Sequence, residues 1–121
     1  MQKKYLQILS ILGKSGSGKG TQVDLLAEKF EFEIISSGDL LRERAKDIDF
    51  EGREIASRLK EGELIPTPII FHMWLHRFQE LCERKDIAGI IFEGSPRKRY
   101  EAVMLDEVLE FYRLSRHMRV L

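Results

Sequence analysis

One cysteine, Cys82, is all the chain of 121 residues offers for thiol chemistry, so an internal disulfide is excluded and a reducing, cytoplasmic compartment is expected. Net charge is lacking as well. Twenty Lys and Arg residues balance twenty Asp and Glu, and no global positive field draws the protein to nucleic acid or to a membrane surface. No apolar run approaches the roughly 20 residues of a membrane-spanning helix, and no basic-then-apolar leader opens the chain. Repeats and low-complexity tracts are absent. What remains is one globular domain, too short to divide comfortably into two, in which any anion recognition has to be local.

The residues present fall into alternating strand-like and helix-like stretches. Tyr5 to Leu12 is a near-continuous apolar run, as expected of a strand buried on both faces of a parallel sheet. A helix is expected from Thr21, with Val23, Leu26, Ala27 and Phe30 on its apolar side. Glu33 to Ser36 reads as a second strand, after which Ser36 or Ser37 caps a helix with Asp39 at the capping-box position. Further helices are expected over Phe50–Glu61, stopped by Gly62, and from Thr67-Pro68, read as a capping hydroxyl before a first-turn proline. Ile90 to Phe92 is the third strand. A helix follows over Arg99–Tyr112 with Val103, Met104, Val108 and Phe111 apolar, and Met118 to Leu121 starts a fourth strand. The alternation predicts an α/β fold with a parallel sheet.

Between the first strand and the first helix stands GKSGSGKGTQ, residues 13–22. Gly13, Gly18 and Lys19 satisfy the phosphate-loop spacing. Glycines at 13, 16, 18 and 20 let successive amides turn inward as an anion nest, and the helix start adds its positive dipole end. Lys19 supplies a mobile charge able to follow phosphate oxygens, and Thr21 one more donor. Gly20 stands where the general motif has a hydroxyl, so direct magnesium ligation by that side chain is not expected.

Two later segments, SSGDLLR at 36–42 and EGSPR at 93–97, accompany the loop in order. With these three segments the chain resembles the adenylate kinase family of P-loop nucleoside monophosphate kinases, along its whole length. The resemblance implies a P-loop NTPase-type parallel sheet of about four strands here, incomplete and flanked by helices. It makes residues 1–121 a single truncated kinase core, with 37–66 as the monophosphate-binding helical segment. It further implies reversible transfer of the γ-phosphoryl of ATP to AMP or a related monophosphate, with Mg2+ accompanying ATP.

Carried over by position, Gly16, Ser17, Gly18, Lys19, Gly20 and Thr21 bind the phosphates of ATP, and Lys19 and Arg97 are catalytic. Ser37, Arg42, Glu63, Leu64, Ile65, Gly94, Arg97 and Glu101 line the monophosphate site, and Glu93 holds the metal through water. Two planar guanidiniums suit the acceptor phosphate because each can bind two oxygens at once.

Two departures qualify these expectations. Glu101 occupies the position of the family's base-reading glutamine; it either alters acceptor preference, being able only to accept hydrogen bonds, or sits on the helix surface. The family also extends past the position of Leu121 with a lid and further arginines. Weak or no turnover is therefore expected of these 121 residues, with a noncatalytic nucleotide-binding module as the alternative. An edge fourth strand invites self-association.

Several other residues read as structural. His72 and His76 share a helix face with Glu80 as a solvated group rather than a zinc site. Trp74, Met73 and Phe78 read as core. Cys82 has no basic neighbour to activate it. Lys98-Arg99 lacks the interleaved aromatics of a nucleic-acid patch.

Overall fold

The computed structural model describes residues 6–12, 19–114 and 118–120, the last three and Lys19 by backbone alone. Among the described residues nine elements follow one another: β1 (Gln7–Ile11), α1 (Lys19–Phe30), β2 (Phe32–Ser36), α2 (Ser37–Arg44), α3 (Phe50–Glu61), α4 (Thr67–Cys82), β3 (Gly89–Glu93), α5 (Arg99–Phe111) and β4 (Met118–Val120). The four strands form one sheet in the order β2-β3-β1-β4, and every neighbouring pair is parallel. The expected α/β architecture is the observed one, and β4 lies at an edge.

Helices cover both faces, which is why β1 and β3 read as continuous apolar runs rather than alternating ones. Ile8, Ile35, Ile90 and Phe92 point from the sheet to α4 and α5, where they meet Trp74, Phe78, Leu81, Leu105 and Leu109. Four aromatic rings knit this side: Trp74 meets Phe92 edge-on at 5.2 Å, and Phe78 meets Tyr112 edge-on at 5.1 Å. Ile11 and Ile91 point to the other face and pack on Val23 of α1. Trp74 and Phe78 are core residues, as the sequence suggests.

A third, smaller cluster joins Leu41, Ile55 and Ile65, with Ile69, Ile70 and Met73 packed against it. It holds α2 and α3 against the first turns of α4. The corner between α2 and α3 is tied by Arg44, whose guanidinium reaches Asp47 at 2.8 Å, Asp49 at 2.6 Å and Glu51 at 2.8 Å. Asp49 also caps α3 by accepting from the Gly52 amide at 2.9 Å. These contacts hold the Asp49 carboxyl down at about 2, the Arg44 hydrogen bond contributing most. Gly62 ends α3 at φ 71°, the left-handed conformation expected of the stop residue.

Three local expectations are corrected. Phe30, the last residue of α1, is half exposed, and Val23 is the fully buried residue of that helix, with Leu26 and Ala27 packed beside it. On α5 the sheet takes Leu105 and Leu109, whereas Val103 and Phe111 are exposed. Leu105 and Leu109 form the row that enters the core, Val108 and Tyr112 pack half-buried beside it, and 103 and 111 fall on the outer side of the helix. Thr67 is not the cap of α4: Pro66 is, and Thr67 is the first helical residue, its hydroxyl bonded to Tyr100 at 2.7 Å.

Candidate nucleotide site

Strand register brings Ile11, Glu93 and Ser36 side by side at the carboxyl ends of β1, β3 and β2. In parallel α/β sheets ligands bind beyond these ends, where the connecting loops splay apart. Gly13, Gly16, Ser17 and Gly18 lie outside the described residues, and so does the Lys19 side chain. The first turn of α1 is described, and its Gly20 and Thr21 border a cleft of about 740 Å³.

The same cleft is bordered by Ser37 and Arg42 of α2, by Glu63, Leu64 and Ile65, and by Glu93, Gly94, Arg97 and Glu101. Residues from four separate segments, spread over about 80 positions of sequence, thus face one space. Of the sequence-predicted site residues that the structure describes with side chains, all border it.

Local chemistry explains each placement. Ser36 caps α2, its hydroxyl accepting from the Asp39 amide at 3.3 Å. The Asp39 carboxylate pairs with Arg42 one turn on, so this guanidinium is held at the cleft mouth with much of its surface in solvent. After β3, the Gly94 amide donates to the Ile11 carbonyl at 3.1 Å, and Gly94 turns the chain at φ 80°. The Arg97 Nε donates back to the Gly94 carbonyl at 2.7 Å. Its remaining guanidinium donors have no carboxylate partner among the described residues. The Glu63–Ile65 stretch is fixed by Ile65, buried in the small cluster, and by Arg58, which donates to the Leu64 carbonyl at 3.3 Å.

Glu101 has a local occupation. One carboxylate oxygen, Oε2, accepts from the amides of Arg97 at 2.9 Å and Lys98 at 3.2 Å, covering the open start of α5. Oε1 meets no protein donor among the described residues. The residue both caps its helix and borders the cleft.

Sequence reading missed several cleft residues. Ser95 borders it beside Gly94, its hydroxyl 3.0 Å from that of Ser37. Thr67 and Lys98 border it too and are linked through Tyr100, whose hydroxyl lies 2.7 Å from Thr67 and 3.1 Å from the Lys98 ammonium. Hydrogen bonding to Thr67, then to Lys98, lowers the Tyr100 phenol from its ordinary value. Thr67 had a signal, a hydroxyl beside two prolines, but not one that names Tyr100 as partner.

The cleft offers guanidinium and ammonium groups for anions and, in Glu93, one carboxylate at a strand end. Magnesium in nucleotide sites keeps several waters and takes one or two carboxylates plus phosphate oxygens, so a lone Glu93 fits such an ion arriving with its nucleotide. Among the described residues no three His, Cys, Asp or Glu side chains gather as a metal cage; His76 meets Glu80 at 2.9 Å on the surface of α4. No helix among them is long and apolar enough to cross a membrane. Cys82 is half-buried, and desolvation first, then the Glu83 charge, push its thiol up to about 11.

Known proteins match most of the chain. The family model described as adenylate kinase matches residues 11–120. The adenylate kinase of Methanothrix thermoacetophila is 36% identical over 100 residues, 82% of this chain and 45% of that protein. That of Azobacteroides pseudotrichonymphae is 34% identical over 102 residues, covering 84% and 52%. The mitochondrial GTP:AMP phosphotransferase of Saccharomyces cerevisiae is 37% identical over 108 residues, covering 88% and 48%. The chain spans about half the length of the curated relatives it matches.

Proposed function

This chain belongs to the adenylate kinase family, and from that premise we propose that it binds ATP and a nucleoside monophosphate, AMP first, in the two halves of one cleft. The reaction proposed is phosphoryl transfer, in which an AMP phosphate oxygen bonds to the γ-phosphorus as its bond to the β-phosphate oxygen breaks. Two diphosphates result, and the reverse step regenerates ATP and AMP. The observation that carries the reading is the shared cleft, bordered both by the first turn of α1 and by Arg42 and Arg97.

Catalysis of such a step is mostly positioning and neutralisation of charge. Lys19 and the loop amides hold the donor phosphates. Arg42 and Arg97 draw in the acceptor phosphate against repulsion from the donor, Arg42 leaving Asp39 to do so. Residues 37–66 form the acceptor-binding segment, and its Glu63–Ile65 stretch borders the acceptor nucleoside. Glu93 would hold the water shell of a magnesium ion arriving with ATP, which would supply neutralisation of phosphate charge. Glu101, through the oxygen left free by its helix cap, faces the acceptor base. The cytoplasm, where both nucleotides abound, is the proposed location.

The test is titration of the 121-residue chain with a dinucleotide whose two adenosines are joined by a phosphate chain, alongside ATP and AMP singly. The dinucleotide is expected to bind more tightly than either nucleotide. Arg97→Ala should weaken AMP about 10- to 100-fold, the weight of a charge-assisted hydrogen bond, and leave ATP nearly unchanged. A dinucleotide no tighter than ATP refutes the two-site reading. ADP formation from ATP and AMP, measured on the same sample, separates a working kinase from a nucleotide-binding module.

A further inference from the structure

Three serines meet where β1, the turn after β3 and α2 converge. Ser10 of β1 is fully buried, on the same side of the sheet as Ile8 and in register with Phe92. A hydroxyl in such a position is costly unless it finds a partner. Its partner is not in the sheet: the Ser10 hydroxyl donates to the Ser95 carbonyl oxygen at 2.6 Å, 85 residues away in sequence. The Ser95 hydroxyl lies 3.0 Å from the Ser37 hydroxyl, at the first residue of α2.

We propose that this chain of hydroxyls sets the acceptor-phosphate end of the cleft: Ser10 fixes the turn that carries Arg97, and Ser95 orients the Ser37 hydroxyl. The inference rests on reading that end of the cleft as the monophosphate site. Donor bookkeeping gives it direction. Ser37 and Ser95 share one contact, so only one of the two O–H groups occupies it. If Ser37 donates to Ser95, Ser37 turns lone pairs to the cleft and repels an anion. With Ser95 donating to Ser37, the Ser37 proton is free for a phosphate oxygen, and the two bonds polarise each other in the same sense. A phosphate selects the second arrangement. Ser10 and Ser95 are thus positioning residues, one acting through the turn backbone and the other through Ser37.

The neighbourhood also supplies a conservative variant. Ser95 borders a small, partly open pocket of about 10 Å³ beside Thr67, Ile70 and Trp74, about the space of one water-sized probe. The extra methyl of threonine has room there while the hydroxyl is kept.

The experiment is titration of the full chain with AMP and, separately, ATP, for wild type, Ser95→Ala, Ser95→Thr, Ser10→Ala, Ser37→Ala and the Ser37→Ala/Ser95→Ala double variant, with thermal unfolding of each. Ser95→Ala should weaken AMP about tenfold, the order of one net hydrogen bond, and ATP less than about twofold. Ser95→Thr should recover AMP affinity, and the double variant should be no weaker than Ser37→Ala alone. Ser10→Ala should likewise weaken AMP more than ATP. Equal losses for AMP and ATP, tracking the loss of thermal stability, would mean a structural role only and overturn the proposal. So would additive effects of the two serine truncations, or AMP affinity unmoved in Ser95→Ala. Wild-type chain that binds AMP in none of these titrations overturns the acceptor-site reading itself, and this inference with it.

Discussion

Replacing Gly52 by alanine sets two rules of protein stability against each other. Gly52 is in the first turn of α3, and on helix propensity alone the change gains about 1 kcal/mol. Its surroundings reverse the sign. A methyl group there would overlap the Asp47 carbonyl oxygen, 2.9 Å from that carbonyl's carbon and 3.0 Å from the Arg44 carbonyl oxygen. These are main-chain atoms of the α2–α3 corner, and no rotamer change relieves the clash. Overpacking of this kind costs about 1–3 kcal/mol. Moving the corner also strains the Asp49 cap on the Gly52 amide, worth about 1 kcal/mol. A net loss of about 2 kcal/mol follows.

Urea unfolding is the assay, read both by Trp74 fluorescence and by far-ultraviolet circular dichroism. The midpoint of Gly52→Ala is expected roughly 1 M below wild type, from a slope of about 1–3 kcal/mol per molar urea for a domain of this size. Ala56→Gly, exposed one turn later on the same helix, is the companion variant and should lose about 1 kcal/mol from propensity alone. If Gly52→Ala matched or exceeded the wild-type midpoint, the close approach of α3 to the corner would be refuted.

The Asp49 carboxyl, held at about 2 against 3.8 in the unfolded chain, stabilises the fold above pH 4 and loses that contribution as the pH falls through 2. Acid unfolding of wild type should therefore be steeper between pH 4 and 2 than that of Asp49→Asn, which keeps the cap but not the titration. Cys82, its thiol raised from 9.0 to about 11, should react with an aromatic disulfide at pH 8 about a hundredfold more slowly in the native chain than in urea, the ratio of thiolate populations. Fast stoichiometric labelling of native protein would contradict the burial that raises it.

Much of this architecture is written locally. Ile8 to Ile11 and Ile90 to Phe92 announce buried strands, and Gly62 marks the end of α3 at the residue where the chain turns left-handed. The site was legible because parallel topology places every strand's carboxyl end on one side, so motifs that follow strands must converge there. Glu101 was half legible: its place three residues after Lys98 is a capping position. What stayed hidden are pairings that depend on register between distant segments. No local pattern matches Ser10 to Ser95, or Thr67 to Tyr100. Phe111 and Val103 misled because an apolar residue at helical spacing does not say which side of α5 meets the sheet, and only packing decides that.

The strand order has a consequence for synthesis. β3 stands between β1 and β2, which do not pair with each other. Gln7 of β1 pairs with Gly89, and Phe32 of β2 pairs with the same residue. During translation at about 5–20 residues per second, β1 waits roughly 4–16 s before the strand that completes it leaves the ribosome. Until then Ile8, Ile11 and Ile35 have no sheet to be buried in. The nascent chain needs its early strands shielded for that interval, and slower decoding of codons before Gly89 would lengthen the exposure to aggregation without altering one contact of the finished fold.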